Sequence, residues 1–502
     1  MTKRGVHMVF GDLRGWIDSL RKEGELQEIN SEVNWDCELG TIARKAFGNG
    51  GGPALLFNNI KDHKNTRGTR VFTGGLSNYS RVAMMFGLPK NAPITELVKA
   101  AREVYSGRIP PRIVADGPVK ENILKGDDID LFEFPVPKWH RDDGGRYINS
   151  MQGNVTMDPD SGRLNVGIYR GMIGQKNTIP VLLWRAQNWG SDFQKWADRG
   201  QEMPVACVYG WEPSLPFCAS SPIPPDVSEF DVMGALRGEP VDLVKCETVP
   251  LMVPASAEMV VEGYISNDPA TFEMEGPLGE YTGYFGGDKG PKHKIRVTAI
   301  THRNNPIYRG TIEGTLPKML SENSIMSSVQ RAALAWNILD RSGVPGITDV
   351  HCPAANNGTT LMIQLRQRYR GQAKQAAMAI WGSSAAHLRY KHIWVVDEDI
   401  DIHDYAALDW AFAYRVNAAE DDIIFVPGTF GSALDPSTRL KYRDTLTYGT
   451  GKWSRVLIDA TVNMDFEPQE QYGGNRYPPT VRPHPQDWEM VNRRWKEYGF
   501  KD

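Results

Sequence analysis

The chain has 502 residues, 41% hydrophobic and 24% charged, with a formal net charge of −4. That length accommodates about three domains with ample core, and the slight acidic balance weighs against a nucleic-acid binder. Five scattered cysteines without a C-x-x-C exclude a disulfide framework and fit a reducing compartment. No apolar run reaches the ~18 residues of a membrane span.

The first residues, MTKRGVHMVFGDLRGW, lack the apolar stretch of a secretory signal, so a cytoplasmic location is expected. Leu13, Trp16, Ile17 and Leu20 form one helical stripe, Gly24 stops it, and GELQEIN alternates like a half-buried strand. ELGTIARKAF is a second amphipathic helix. GNGGGP after it lacks phosphate-loop spacing and precedes an apolar strand, ALLFNNI, so it is a linker. PITELVKAAREVY is a further helix. This alternation predicts a small α/β domain over residues 1–115.

An irregular Pro- and Gly-rich stretch leads into a zone of short strands between turns. Its segments are INSMQGNVTM, RLNVGIYRGMI, TIPVLLW, MPVACVYG, EMVVEGYI and KIRVTAITHR. They predict a β-rich barrel or sandwich over 116–320. Helices are expected near SDFQKWADRG and VSEFDVMGALRG.

From 321 to 502 a long helix, ENSIMSSVQRAALAWNILDRSG, opens an α/β domain with a partly parallel sheet. The strands are TTLMIQLRQ and HIWVVDEDIDI, and the helices GQAKQAAMAIWG and DYAALDWAFAYRV. A tail helix, WEMVNRRWKEYGF, carries Trp488 and Trp495 on one face. It either packs on its own domain or docks on another subunit.

The chemistry centres on TFEMEGPLGEYTGYFGGDKG, residues 271–290. Gly276, Pro277 and Gly279 keep Glu275 and Glu280 off any helix. Loop carboxylates are most often solvated. Here apolar and aromatic flanks offer a low-dielectric wall that raises a carboxyl pKa and suits it to proton donation. Tyr281, Tyr284 and Phe285 predict a flat aromatic-lined pocket.

Upstream, Asn165 and Arg170 bracket a strand, on opposite faces unless Gly167 makes a bulge. Arg170 needs a buried anion, or else an exposed edge position. Ser220 and Ser221 sit in a Pro-flanked turn of the kind that binds phosphate through N–H and hydroxyl groups. Glu229 opens a helix, where an acid commonly answers the helix dipole. Gln187 and Asn188 follow an apolar strand and are by default turn formers. His387 and His392 flank a strand start as core or cap residues.

Five segments together resemble the UbiD family of prenylated-FMN-dependent decarboxylases, end to end and in the family's order. They are DIDLFEFPVPKWHRDDGGRYI, LNVGIYRG, CASSPIPPDVSEFDVMGALRG, MEGPLGEYTGYFGG and VVDEDIDIHD. The resemblance implies an N-terminal α/β domain, a central split β-barrel flavin domain and a C-terminal α/β oligomerisation domain, matching the three zones. By the same resemblance Arg170, Glu275 and Glu280 are the catalytic trio. Ile168, Tyr169 and Gln187 would lie along the flavin, and a further contact is placed near His387. Asn165 and Glu229 match metal ligands for manganese, with Asn188 where the family has His. An amide oxygen still ligates a hard cation such as Mn²⁺ or Mg²⁺. A potassium ion is also implied, as are a flavin prenyltransferase that supplies the cofactor and a homodimer or homohexamer.

The expected reaction is reversible, non-oxidative decarboxylation of an aromatic or heteroaromatic acid. Losing CO₂ from an sp² carbon leaves an in-plane electron pair that no side chain absorbs, so a cofactor must. Glu275 is expected to stay ionised against Arg170, leaving Glu280 as proton donor. The rivals are an FMN-dependent oxidoreductase on a split barrel and the catalytic-like subunit of a multi-subunit carboxylase.

Overall fold

The computed structural model describes residues 8–48, 50–224, 226–386, 388–443, 445 and 449–501. The first helix, Leu13–Lys22, buries the stripe read from the sequence, and the Asp12 carboxylate caps it by accepting from Gly15 N at 2.8 Å. Helix Glu38–Phe47 connects strand Leu26–Ile29 to its parallel neighbour Ala54–Phe57. Arg70–Thr73 adds antiparallel to that pair. The fourth strand, Ile307–Arg309, arrives from far along the chain and pairs in parallel with Arg70–Thr73.

The central sheet has seven antiparallel strands. Its path runs Asn122–Lys125, Lys294–His302, Met259–Ile265, Met203–Tyr209, Gly153–Met157, Leu164–Gly167, and Thr178–Pro180 pairs with Lys294–His302. The ladders of these named strands alone do not close into a ring. Met203–Tyr209 is buried throughout and feeds two cores by strict alternation. Ala206 and Val208 join one; Met203, Val205, Cys207 and Tyr209 join the other.

Two expected strands are shorter than their apolar patterns. RLNVGIYRGMI is a strand only over Leu164–Gly167, and TIPVLLW only over Thr178–Pro180. After Gly167 the chain leaves the sheet: Ile168 N donates to Ala219 O at 3.3 Å, and Gly171 bridges to Asn149 and Val181. Arg170 therefore sits past the strand end.

The C-terminal sheet runs Ile347–His351, Thr360–Leu365, His392–Asp397, Gly451–Ala460, Ile423–Gly431. Its three middle strands are parallel and its edges antiparallel. Helix Glu322–Arg341 starts with a reciprocal cap between Ser321 and Ser324, each side chain 3.1 Å from the other's backbone N. The tail helix Pro485–Arg494 has no buried residue, and Trp488 and Trp495 are both exposed, so neither tryptophan is buried against the described residues of its own domain. No helix among the described residues is long and apolar enough to cross a membrane.

Glu322 ties the long helix to the N-terminal sheet. It is fully buried, accepts from Gly74 N at 3.1 Å and Leu76 N at 2.7 Å, and pairs with buried Arg309. Glu322→Ala strands that guanidinium and is expected to cost about 3–5 kcal/mol. The check is the denaturant midpoint of unfolding, which should fall clearly; an unchanged midpoint contradicts the assignment.

Candidate active site

Residues 273–292 form two short ladders stacked end to end. Glu273–Glu275 pairs with Gly290–Lys292, and Leu278–Gly279 with Phe285–Gly286. The Asp143 carboxylate accepts from Gly279 N at 2.9 Å, and Gly144 N donates to Pro277 O at 2.8 Å, fixing the turn between the acids.

Arg170 enters this loop from 105 and 110 positions upstream and bridges both carboxylates. Its Nη2 donates to Glu275 Oε2 at 2.9 Å and its Nη1 to Glu280 Oε1 at 2.5 Å, with Gly286 O at 3.0 Å. The three residues that the resemblance groups as a trio are thus in direct contact. Glu275 is 0% and Glu280 8% exposed, so the solvated-turn and exposed-edge alternatives fall together. Gly287 makes room: its φ is +74°, and a Cβ there would lie 2.1 Å from Arg170 Nη2.

The two acids differ in surroundings. Tyr147 OH donates to Glu275 Oε1 at 2.7 Å, so both Glu275 oxygens are held by donors. Burial pushes the Glu280 carboxyl up; Arg170 pulls it back and Glu275 adds to the rise, leaving it above the usual carboxylate range. Burial alone would lower the Arg170 pKa, but Glu280 and Glu275 more than reverse this.

Beside the trio are two cavities with common walls. The smaller, about 160 Å³, is lined by Arg170, Glu280, Tyr281, Glu313 and Leu434 among others. The larger, about 520 Å³, is lined by Ile168, Tyr169, Gln187, Asn188, Ser220 and Ser221. Ile168, Tyr169, Gln187, Asn323 and Arg389 belong to both walls.

Asn165 and Glu229 lie buried behind Tyr169, whose ring stacks on Trp189 at 4.1 Å. Glu229 accepts from Val166 N at 2.7 Å, and burial pushes its carboxyl up to about 8. Asn165 Nδ2 donates to Thr156 Oγ1 at 3.2 Å, while Oδ1 is buried with no hydrogen-bond partner among the described residues. No group of three His, Cys, Asp or Glu side chains among them could hold a metal ion. A cation here would therefore depend on amide oxygens.

Other expectations change. Ser220 Oγ and Ser221 Oγ donate to Pro216 O at 2.7 Å and Phe217 O at 2.8 Å, so their hydroxyl hydrogens are committed to protein. Their backbone N–H groups point to Pro216 O and Cys218 O. Tyr281 lines the cavity, with its OH on Ser432 Oγ at 2.7 Å and the Arg389 guanidinium 4.3 Å above its ring. Tyr284 and Phe285 are 61% and 48% exposed and line neither cavity. His387 lies outside the described residues; His392 starts a strand away from both cavities.

Sequence reading missed Tyr147, Glu313 and the larger cavity's three cations, Arg185, Arg331 and Arg389. Arg331 had a signal: an arginine inside an apolar helical run, QRAALAW, needs an anion or a polar end to its pocket. Burial, then repulsion from Arg389, holds its guanidinium down at about 9.

Comparison with known proteins gives a consistent result. Family models match residues 17–101, 112–316 and 324–460. They describe the N-terminal, Rift-related (UbiD) and C-terminal domains of 3-octaprenyl-4-hydroxybenzoate carboxy-lyase. The chain is similar to the pyrrole-2-carboxylic acid decarboxylase of Pseudomonas aeruginosa, at 32% identity over 98% of this chain and 99% of that protein. It is similar to the closed form of the vanillic acid decarboxylase of Sedimentibacter hydroxybenzoicus, with a TM-score of 0.86 and 28% identity over 98% of this chain and 100% of that one. An evolved dimeric form of the UbiD-class enzyme HmfF from Pelotomaculum thermopropionicum, in complex with prFMN, gives 0.74 and 29% over 91% and 96%.

Proposed function

The chain belongs to the UbiD family of carboxy-lyases, and from that premise we propose that it decarboxylates an aromatic or heteroaromatic acid reversibly and without net redox change. In this reading prenylated FMN is the electron sink and Glu280 the proton donor. What supports it most is one arrangement: Arg170 held between two buried carboxylates at 2.9 and 2.5 Å, beside a cavity.

The residues present fit the cofactor. Ile168, Tyr169 and Gln187 would flank the ring system. Arg185, Arg331 and Arg389 would take the phosphate, which relieves the repulsion that lowers Arg331. Asn165 Oδ1, an acceptor without a donor, together with Asn188 and Glu229 would hold Mn²⁺ or Mg²⁺, with K⁺ nearby. The central seven-stranded sheet is then the split-barrel flavin domain, with domain bounds near 115 and 320.

Protonated Glu280 leaves Arg170 one ionised partner, Glu275, and a surplus of charge to attract and orient the substrate carboxylate. Bound in the larger cavity, a prenylated flavin supplies the electrophile that holds the electron pair left at carbon. Glu280 then delivers its proton to that carbon. Glu275 stays fixed between Arg170 and Tyr147. Burial of the trio keeps bulk water from competing as proton donor.

The test is protein produced together with a flavin prenyltransferase and given a panel of hydroxybenzoates and pyrrole-, indole- and phenazine-carboxylates. CO₂ and the ring lacking its carboxyl are expected without NAD(P)H. NAD(P)H oxidation without CO₂ would favour the oxidoreductase. Release only after a second polypeptide is added would favour the multi-subunit carboxylase.

A further inference from the structure

Glu313 is a third carboxyl in the wall of the 160 Å³ cavity, and the proton transfer above gives it no task. It lies between strand Ile307–Arg309 and helix Glu322–Arg341, just before Gly314. Arg44, on helix Glu38–Phe47, donates to Glu313 O and, at 2.5 Å, to Gly314 O. The backbone is thereby pinned to another domain. These Arg44 hydrogen bonds go to carbonyls rather than to the Glu313 carboxylate.

One oxygen of that carboxyl is left without a donor, although a backbone hydrogen bond from Gly314 reaches the group. Its Oε2 is buried and has no hydrogen-bond partner among the described residues. A buried acceptor without a donor is unfavourable until something supplies one. Burial, then the Glu280 charge, pushes the Glu313 carboxyl up to about 8. Neutral or ionised, it keeps an oxygen that accepts a hydrogen bond. The cavity is also well below the roughly 300–1,000 Å³ of drug-sized sites, so its occupant is small.

We propose that Glu313 selects aromatic acids bearing a hydrogen-bond donor on the ring, a ring N–H or a phenolic O–H, which its carboxyl oxygen accepts while Arg170 and Glu280 face the substrate carboxylate. This rests on the decarboxylase reading. It makes Glu313 a specificity determinant, separate from proton delivery. A site built to pair with a ring donor rejects the analogue lacking one, because the site's own polar group is then stranded.

The test uses two pairs differing in that donor: pyrrole-2-carboxylate against furan-2-carboxylate, and 4-hydroxybenzoate against benzoate. Binding to the flavin-loaded protein is measured by calorimetric titration, and CO₂ release is followed separately. The donor-bearing acid of at least one pair is expected to bind about 10- to 100-fold tighter. Glu313→Leu should bring the two affinities of that pair close to equal. Glu313→Gln, which keeps an acceptor oxygen at the same size, should retain most of the preference. The inference is overturned if the wild-type protein shows no preference in either pair, binds none of the four acids, or keeps its preference in Glu313→Leu. CO₂ release with an unchanged preference would overturn this inference and leave the decarboxylase standing. A Glu313-dependent preference without CO₂ release would do the opposite.

Discussion

Glu280→Gln is expected to lower turnover by about 10²–10⁴-fold, the usual contribution of a positioned general acid, with flavin still bound. The amide matches the carboxyl in size and keeps an oxygen for Arg170 Nη1, so the loop geometry survives. What it loses is a proton acidic enough to give to carbon. The pH profile carries the same signature. Burial raises the Glu280 pKa, so the competent, protonated form persists above the ordinary carboxylate range and disappears as pH rises through the raised value. The rate should hold on the acid side and fall on the alkaline side, and the residual rate of the Gln variant should lack that limb. Stability follows the same sign: the folded state binds the proton more tightly, so this contribution weakens as pH rises from the unfolded to the folded pKa. Near-normal turnover by Glu280→Gln would remove the residue from the chemistry.

Arg170→Lys is expected to cost about 10²–10³-fold in turnover, comparable to deleting a preorganised charge-stabilising donor, while flavin absorbance is retained. Lysine offers a point charge on a flexible stem where the guanidinium is a rigid fork. It cannot hold Glu275 and Glu280 at once, and one buried carboxylate is left unpaired. The alkaline limb should also move to higher pH, because Arg170 is the main influence pulling the Glu280 pKa down. Cofactor retention is expected because the cations facing the larger cavity are Arg185, Arg331 and Arg389. An unchanged limb with unchanged turnover would show that Arg170 does not control Glu280.

Local pattern was enough for helices with a clear stripe. Leu13, Trp16, Ile17 and Leu20 are buried as their spacing requires, and ELGTIARKAF is a helix over those ten residues. Pairing between distant segments was not legible. Ile307–Arg309 completes a sheet begun some 280 residues earlier, and nothing in three residues signals that partner. The candidate site divides the same way. Taken one at a time, Arg170 looks like an edge residue, Glu229 a helix-dipole acid and Glu280 a solvated turn. Their burial is a property of the assembled molecule; the apolar flanks of the loop hinted at it for the acids, and the resemblance across five segments outweighed the solvated alternatives. Apolar letters misled in the reverse direction: Phe285 lies five residues past Glu280 in sequence, yet it is half-exposed and lines neither cavity. Glu313 was passed over because a lone acid between Ile312 and Gly314 carries no pattern.

The most direct measurement is turnover in D₂O by flavin-loaded protein without NAD(P)H, followed by mass and NMR analysis of the product. One solvent deuterium at the carbon that lost CO₂, with this labelling lost in Glu280→Gln, is the expected result. Product labelled equally well by the variant, or formed only when a nicotinamide reductant is supplied, would contradict proton delivery by Glu280 within a redox-neutral decarboxylation.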